Sequence, residues 1–343
     1  MQHKLPLAEL HVHIEGTVKP ETARSIAARN GMTLDPALFS ADGSAYRYES
    51  FLDLVTKVYQ AVASGIRTKR DFTEITEEYL LNCAAEGAIY VELIACPGQC
   101  WLADISYKDM IDGIAEGIDN ARAKTGIEAR INVDFERHRP GSEAEKDADA
   151  ILSYPHAYIV RLDIAGGEQE GDIPQFRKPF ERILKNFGRD LCIRMHAGEG
   201  AGAKNVRAAL DMGCTRIGHG IRCIEDADLV NEIVKKGVVL EVCPTSNCML
   251  MPQLGGKIEN HPLRQLYDAG VKLTLNSDDP GMFDCTLGGE YDIARTVFGF
   301  TESELHGITR TAINAAACEA ALKTDLLRKV DAYQDAGEKR KTA

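Results

Sequence analysis

The chain has no apolar run long enough to span a bilayer, and no apolar stretch near Met1 that reads as a secretory signal. A helical membrane protein is excluded, and a cytoplasmic one is expected. Basic residues are in deficit. The 343 residues carry 40 Lys and Arg against 52 Asp and Glu, a net charge of −12. Polyphosphate partners select a basic footprint, so no nucleic acid is expected, whereas a small uncharged substrate fits. The 10 cysteines contain no C-x2-C knuckle. Cys96 with Cys100, and Cys243 with Cys248, are spaced more widely. All read as small apolar thiols in a reducing compartment. The absence of H-E-x-x-H excludes the zincin peptidases, and the absence of G-x-x-x-x-G-K-[ST] excludes P-loop chemistry. No linker, low-complexity tract or break in composition divides the chain. One domain over residues 1–343 is expected, with a polar tail from about 332.

What is present is ordinary in amount, 44% hydrophobic and 27% charged, and regular in order. Apolar or β-branched runs at 8–13, 88–95, 129–135, 158–164, 191–196, 216–219, 238–243 and 272–277 predict eight strands. Helical periodicity separates most of them, at 21–30, 108–124, 174–187, 205–212, 227–236 and 262–269. Gly31, Gly126, Gly213, Gly237 and Gly270 stand where helices close. Strands that are apolar nearly throughout, alternating with helices, predict a parallel sheet covered by helices. Eight such units predict an α/β fold, the (β/α)8 TIM barrel, with a doubly wound open sheet as the alternative. Residues 32–70, between the first two strands, predict extra helices over one face, and residues 302–343 predict terminal helices fraying into "DAGEKRKTA".

Titratable residues gather where the strands end. The first strand runs into "HVHIEG", the fourth "DIAGGE", the fifth "MHAGEG", the sixth "GHG", the seventh "CPTSN" and the last "NSDDPG". In a barrel these ends open on one face. Residues i and i+2 of a strand share a side, so His11 and His13 both face the barrel axis. A buried polar group without a partner costs about 1–3 kcal/mol, and a divalent metal satisfies both imidazoles. His196 offers a third nitrogen and Asp278 an oxygen. Three His and one Asp with an open position suit a catalytic zinc ion. The fourth strand ends without a lysine, so no lysine-derived bridge to a second metal is expected, and one Zn2+ per subunit is. Water on such an ion has a pKa lowered to roughly 7. Glu199, His219 and Asp279 stand where a proton carrier, an orienting group and a substrate contact are needed. An H-x-E does occur at His13–Glu15, but no P-C-x-x-C follows it, which excludes the cytidine-deaminase type of zinc site.

Together "ELHVHIEG", "DIAGGE", "RMHAGEG", "RIGHGIR", "CPTSN" and "NSDDP", in this order from Leu5 to about Leu327, resemble the adenosine/adenine deaminase family of the metal-dependent amidohydrolase superfamily. The resemblance implies a (β/α)8 barrel with one zinc that hydrolyses the 6-amino group of a purine. It implies zinc ligands at His11, His13, His196 and Asp278. It makes Glu199 the acid that protonates N1, and His219 the residue that orients the hydroxide. Asp279 becomes the partner of N7, and Gly166 the backbone that approaches N3, where a missing Cβ helps. The stretch from Phe51 to Tyr59 resembles the family's apolar lid over the purine. Glu15 stands where many adenosine-specific members have an Asp that contacts ribose; the longer acid resembles members that prefer free adenine, and it also occurs in members assigned to adenosine and in relatives acting on other adenosine derivatives. Leu93 stands where several relatives have Arg. The principal expectation is deamination of adenosine and 2′-deoxyadenosine to inosine-type products and ammonia. The alternative is deamination of adenine to hypoxanthine, or of another adenosine derivative. A metal phosphoesterase and a non-catalytic barrel are more distant readings. The first wants more ligands and basic contacts, and the second would have lost Glu199, His219 or a ligand.

Overall fold

Strand and helix alternate along the whole chain, as the sequence texture predicts. The computed structural model describes residues 4–188 and 190–341, apart from the side chains of Phe51 and of residues 334–341. The strands are β1 (Leu7–His13), β2 (Ala88–Ala95), β3 (Glu128–Glu136), β4 (Ile159–Ala165), β5 (Cys192–Ala197), β6 (Arg216–His219), β7 (Val239–Val242) and β8 (Lys272–Leu275). They form one eight-stranded parallel sheet in the order β1 to β8. The barrel closes just past β8. The His13 N–H donates to the Asp278 carbonyl at 2.9 Å, and the Asp278 N–H donates to the His11 carbonyl at 3.2 Å. This is the (β/α)8 barrel, not the open sheet. The last strand ends earlier than predicted because side chains take over its ladder. Asn276 Oδ1 accepts the Leu10 N–H at 2.8 Å, and Glu9 Oε1 accepts the Ser277 N–H at 2.6 Å.

The strands alternate, but not in the usual apolar way. One face packs Val12, Leu93, Val133, Ile164, Met195 and Leu240 against the helices in the main core. The other face points inward and is polar. Arg194 and Arg216 are the largest fully buried side chains of the protein. Arg216 pairs with Glu92 at 2.8 Å and with Glu241. Arg194 pairs with Glu241 at 2.6 Å and with Asp163. Where most barrels fill the axis with Val, Ile and Leu, this one fills it with paired charges. Gly218 leaves room for them, since a Cβ there would lie 2.6 Å from Arg194 Nη2 and 3.1 Å from His11 Cε1.

The insertion between β1 and β2 does form helices. Phe51–Asp53, a π-helical turn Leu54–Tyr59 and Gln60–Gly65 run on from one another. Widened turns of this kind recur beside functional sites. At the C-terminus Glu302–Ala315 and Ala320–Lys341 are helical. The backbone stays helical through most of the polar stretch expected to fray, because Glu, Lys and Arg are good helix formers. Among the described residues no helix is long and apolar enough to cross a membrane. The cysteines form no disulfide, and most are buried as expected. Cys192 is exposed, and Cys285 and Cys318 are partly so.

Behind β8, Glu290 is fully buried in the helix Leu287–Thr296 and accepts the Thr245 N–H at 3.2 Å. Burial pushes its carboxyl from 4.5 up to about 7. The folded chain therefore holds this proton where the unfolded chain releases it. Stability is full below pH 4.5 and is lost as pH rises through 7, by about 3 kcal/mol in all. Glu290→Gln is expected to flatten that slope. Urea unfolding of both metal-stripped proteins at pH 5 and pH 8 measures it, and parallel pH dependences would refute it.

Candidate active site

All six strand ends singled out in the sequence open on one mouth of the barrel, and the expected side chains converge there. His11 and His13 lie on β1, His196 near the end of β5, His219 at the end of β6, and Asp278 three residues past β8. His11 Nε2 is 3.2 Å and His13 Nε2 3.5 Å from Asp278 Oδ1. His13 Nε2 and His196 Nε2 face each other at 3.1 Å. Burial dominates in lowering His11, His13 and His196 below the ordinary imidazole value, so all three are neutral at pH 7. Burial draws the Asp278 carboxyl upward. The nearby His219 and His13 and the Ser246 hydroxyl, 2.5 Å from Oδ2, outweigh it and leave Asp278 below its ordinary value.

Four ring nitrogens and an oxygen thus crowd one point. His11, His196, His219 and Asp278 each offer an atom within 4.8 Å of the others. The hydrogen-bond chain behind His219 sets it apart. The Leu263 N–H donates to His261 Nδ1 at 3.0 Å, so His261 carries its proton on Nε2. That N–H donates to Asn247 Oδ1 at 3.1 Å, which turns the Asn247 amide N–H toward His219 Nδ1 at 2.9 Å. His219 is held near 3 by burial, hence neutral, and keeps its proton on Nε2. That N–H points at Glu199 Oε2, 3.6 Å away. A protonated nitrogen offers a metal no lone pair until that proton leaves. His196 is the opposite case. Its Nδ1–H donates to the Ile164 carbonyl at 3.0 Å, leaving Nε2 bare toward the cluster. His11 Nε2 is fully buried, makes no hydrogen bond in the protein and lies 3.2 Å from Asp278 Oδ1; the Arg194 guanidinium donates to Nδ1 at 2.8 Å, so a bound ion would displace the proton that Nε2 carries. An orphaned ring nitrogen among neutral imidazoles and an ionised Asp is the donor set a divalent cation fits.

Backbone strain is concentrated at the same place. His219 (φ 56°) and Asp278 (φ 65°) are left-handed although neither is glycine, at a cost of order 1–3 kcal/mol each. Glu199 sits on the loop after β5. The Glu168 carboxylate accepts the N–H groups of Gly198, Glu199 and Ala201 at 2.9, 3.0 and 2.8 Å. Burial, with Asp278 and Glu168 nearby, pushes Glu199 well above its ordinary value. That shift favours its protonated form. Asp279 is raised in the same way, by burial first and then by Asp278.

A cavity opens beside this cluster, lined by His13, His196, Glu199, His219, Asp278 and Asp279, by Ala165 and Gly166 from β4, and by Leu54, Val55 and Tyr59 from the insertion. Gly166 has φ +91°, and a Cβ there would come within 2.8 Å of His138 Nδ1, so only glycine fits. The side chain of Phe51 lies outside the described residues. Glu15 is fully buried but does not line the cavity. Tyr59 does, and its O–H donates to Glu15 Oε2 at 3.0 Å. Leu93 packs in the main core and does not line the cavity. Sequence reading did not single out Tyr59, Gln99, Asp134, Glu136 and His138, which also line the cavity. Among the described residues the lining contains no Lys or Arg.

A model of the adenosine deaminase family matches residues 6–333. An adenine deaminase of Sinorhizobium medicae is 40% identical over 328 residues, 95% of this chain and 98% of that one. A solved adenine deaminase from Arthrobacter aurescens superposes with a TM-score of 0.86 at 28% identity, over 96% and 99% of the two chains. The fold is also that of an N6-methyl-AMP deaminase from Arabidopsis thaliana, at a TM-score of 0.78 and 23% identity over 96% and 97%.

Proposed function

The chain belongs to the adenosine deaminase family, and from that premise we propose that it deaminates the free base adenine to hypoxanthine and ammonia. It is a purine aminohydrolase that removes a 6-amino group. The preference for adenine, rather than the adenosine expected first, rests on one observation. Glu15 is buried, and its Oε2 is committed to the cavity-lining Tyr59 at 3.0 Å. A ribose needs room, and the buried acid at this position, which does not line the cavity and is covered by Tyr59, leaves none for it. The adenine deaminase relatives support the same choice. A nucleotide fits worse. Asp134, Glu136, Glu199, Asp278 and Asp279 line the cavity with no cation to meet a phosphate.

His11, His13, His196 and Asp278 would hold a single divalent ion, and their nitrogen and oxygen atoms suit zinc. When bound, the ion supplies Lewis acidity and a water whose pKa falls to about 7. The remaining chemistry belongs to the side chains. Attack at C6 makes that carbon tetrahedral and places charge on the ring nitrogen. Glu199, protonated, gives its proton to N1. His219 directs its Nε2–H at the attacking oxygen, fixed there by Asn247 and His261. Asp279, also protonated, donates to N7, which can only accept. As the C6 carbonyl forms, one proton of the attacking water passes to the amino nitrogen, which leaves as ammonia, and the other restores the Glu199 acid.

Zinc-loaded protein offered adenine, adenosine, 2′-deoxyadenosine and AMP tests this reading by ammonia release. Adenine is expected to exceed the nucleosides in kcat/KM by about 10²-fold or more. Adenosine turned over as well as adenine would overturn it.

A further inference from the structure

The cluster that meets the amino group comes from β1, β5, β6 and the end of β8. In the order β1 to β8 the ends of β2 and β3 lie at another part of the mouth, and the cavity reaches them at Gln99, Asp134 and Glu136. With C6 held at the cluster, the ring edge carrying N3 and N9 is the one left to face this wall.

The wall is rich in acceptors that nothing satisfies. Gln99 Nε2 donates to Glu136 Oε1 at 2.8 Å. A carboxylate oxygen only accepts, so the amide orientation is fixed and Gln99 Oε1 remains a free acceptor. Gln99 is 4% exposed, and its Oε1 has no partner in the protein. Asp134, 2% exposed, also leaves Oδ1 unpaired, but burial and the nearby Asp163 and Glu136 raise its carboxyl well above the ordinary value, toward the form that donates. A buried acceptor such as Gln99 Oε1 is rare and calls for a donor. Free adenine carries one imidazole N–H. A nucleoside carries none, because the sugar replaces that hydrogen.

We propose that Gln99 is the specificity-determining residue that accepts the imidazole N–H of a free purine base. This rests on the deaminase reading above and supplies a second ground for base selection, separate from Glu15. A site built to bond an N–H rejects the analogue that lacks it far more strongly than a size mismatch does.

The experiment compares adenine with 9-methyladenine on zinc-loaded wild type and Gln99→Met. Wild type is expected to favour adenine by about 10²-fold or more in kcat/KM. Gln99→Met keeps the length of the side chain and removes the acceptor. It is expected to lower the ratio of adenine to 9-methyladenine in kcat/KM by at least about tenfold. An equal adenine preference in the two proteins overturns the assignment, as does wild type that ignores the methyl group. If the variant fails to fold, inhibition of wild type by hypoxanthine and 9-methylhypoxanthine decides. Hypoxanthine should bind at least about tenfold more tightly, and equal inhibition overturns the proposal. No turnover of any 6-aminopurine fells the deaminase reading itself. Adenine turnover with an unmoved ratio fells only the role of Gln99.

Discussion

Glu199→Gln is expected to keep its metal and its fold and to lose turnover by about 10³-fold or more, within the range a general acid supplies. The variant is chosen because amide and carboxylic acid have nearly the same shape. The Glu199 loop is set by its own backbone, whose N–H groups are held by Glu168, so the substitution leaves the loop in place. Only the proton changes. Glu199 is pushed well above its ordinary value by burial and by the charges of Asp278 and Glu168, which favours the form that donates. A glutamine can hydrogen-bond to N1 but cannot transfer a proton to it. Attack at C6 then has to place negative charge on an unprotonated ring. Metal content, thermal unfolding and kcat measured on one preparation separate the effects. A kcat within tenfold of wild type, with metal retained, would remove Glu199 from the mechanism.

The period of two that exposed His11 and His13 explains both what sequence reading reached and what it missed. The strand ends were legible because two imidazoles one residue apart are anomalous in an apolar run. The same spacing occurs at Asn132, Asp134 and Glu136 on β3, and all three turn inward. That signal was present and was passed over, because carboxylates near a strand end also read as solvated. Leu93 shows the complementary case. Its own alternation with Glu92 puts it on the helix side. Glu168 was visible in "DIAGGE", but its work is to accept three N–H groups from a loop about thirty residues on, which no local pattern encodes. The proton position on His219 depends on Asn247, His261 and Leu263, brought together only by the fold. Gln99 follows β2 on the short helix Pro97–Ala103, where nothing periodic marks it. Barrel order and strand number were readable from texture alone, because each β/α unit is local, whereas the polar axis is built between units.

That axis yields the other large effect. Arg194→Met is expected to destabilise the protein by about 3–5 kcal/mol, the cost of removing one partner from a buried ionic group. Arg194 is fully buried and reaches three groups at once: Asp163, Glu241 at 2.6 Å, and His11 Nδ1 at 2.8 Å. Burial drives the Asp163 carboxyl above its ordinary value even with the guanidinium beside it. Without Arg194 one carboxylate loses its nearest cation, and Glu241 keeps only Arg216. Methionine fills much of the volume, so the loss reports charge more than packing. Arg194→Lys should recover only part of it, since an ammonium cannot fork across three acceptors. Adding Asp163→Asn to Arg194→Met should recover more, because it removes the carboxylate left alone. Urea unfolding gives the stabilities, and zinc content after dialysis reports whether His11 still stands in place. A loss below about 1 kcal/mol would mean that water or a shifted Arg161 replaces the guanidinium. A full loss that Asp163→Asn does not relieve would place the cost in packing. If the expected pattern holds, the charged axis acts as a scaffold, setting His11 from beneath while the loops above set Glu199 and His219.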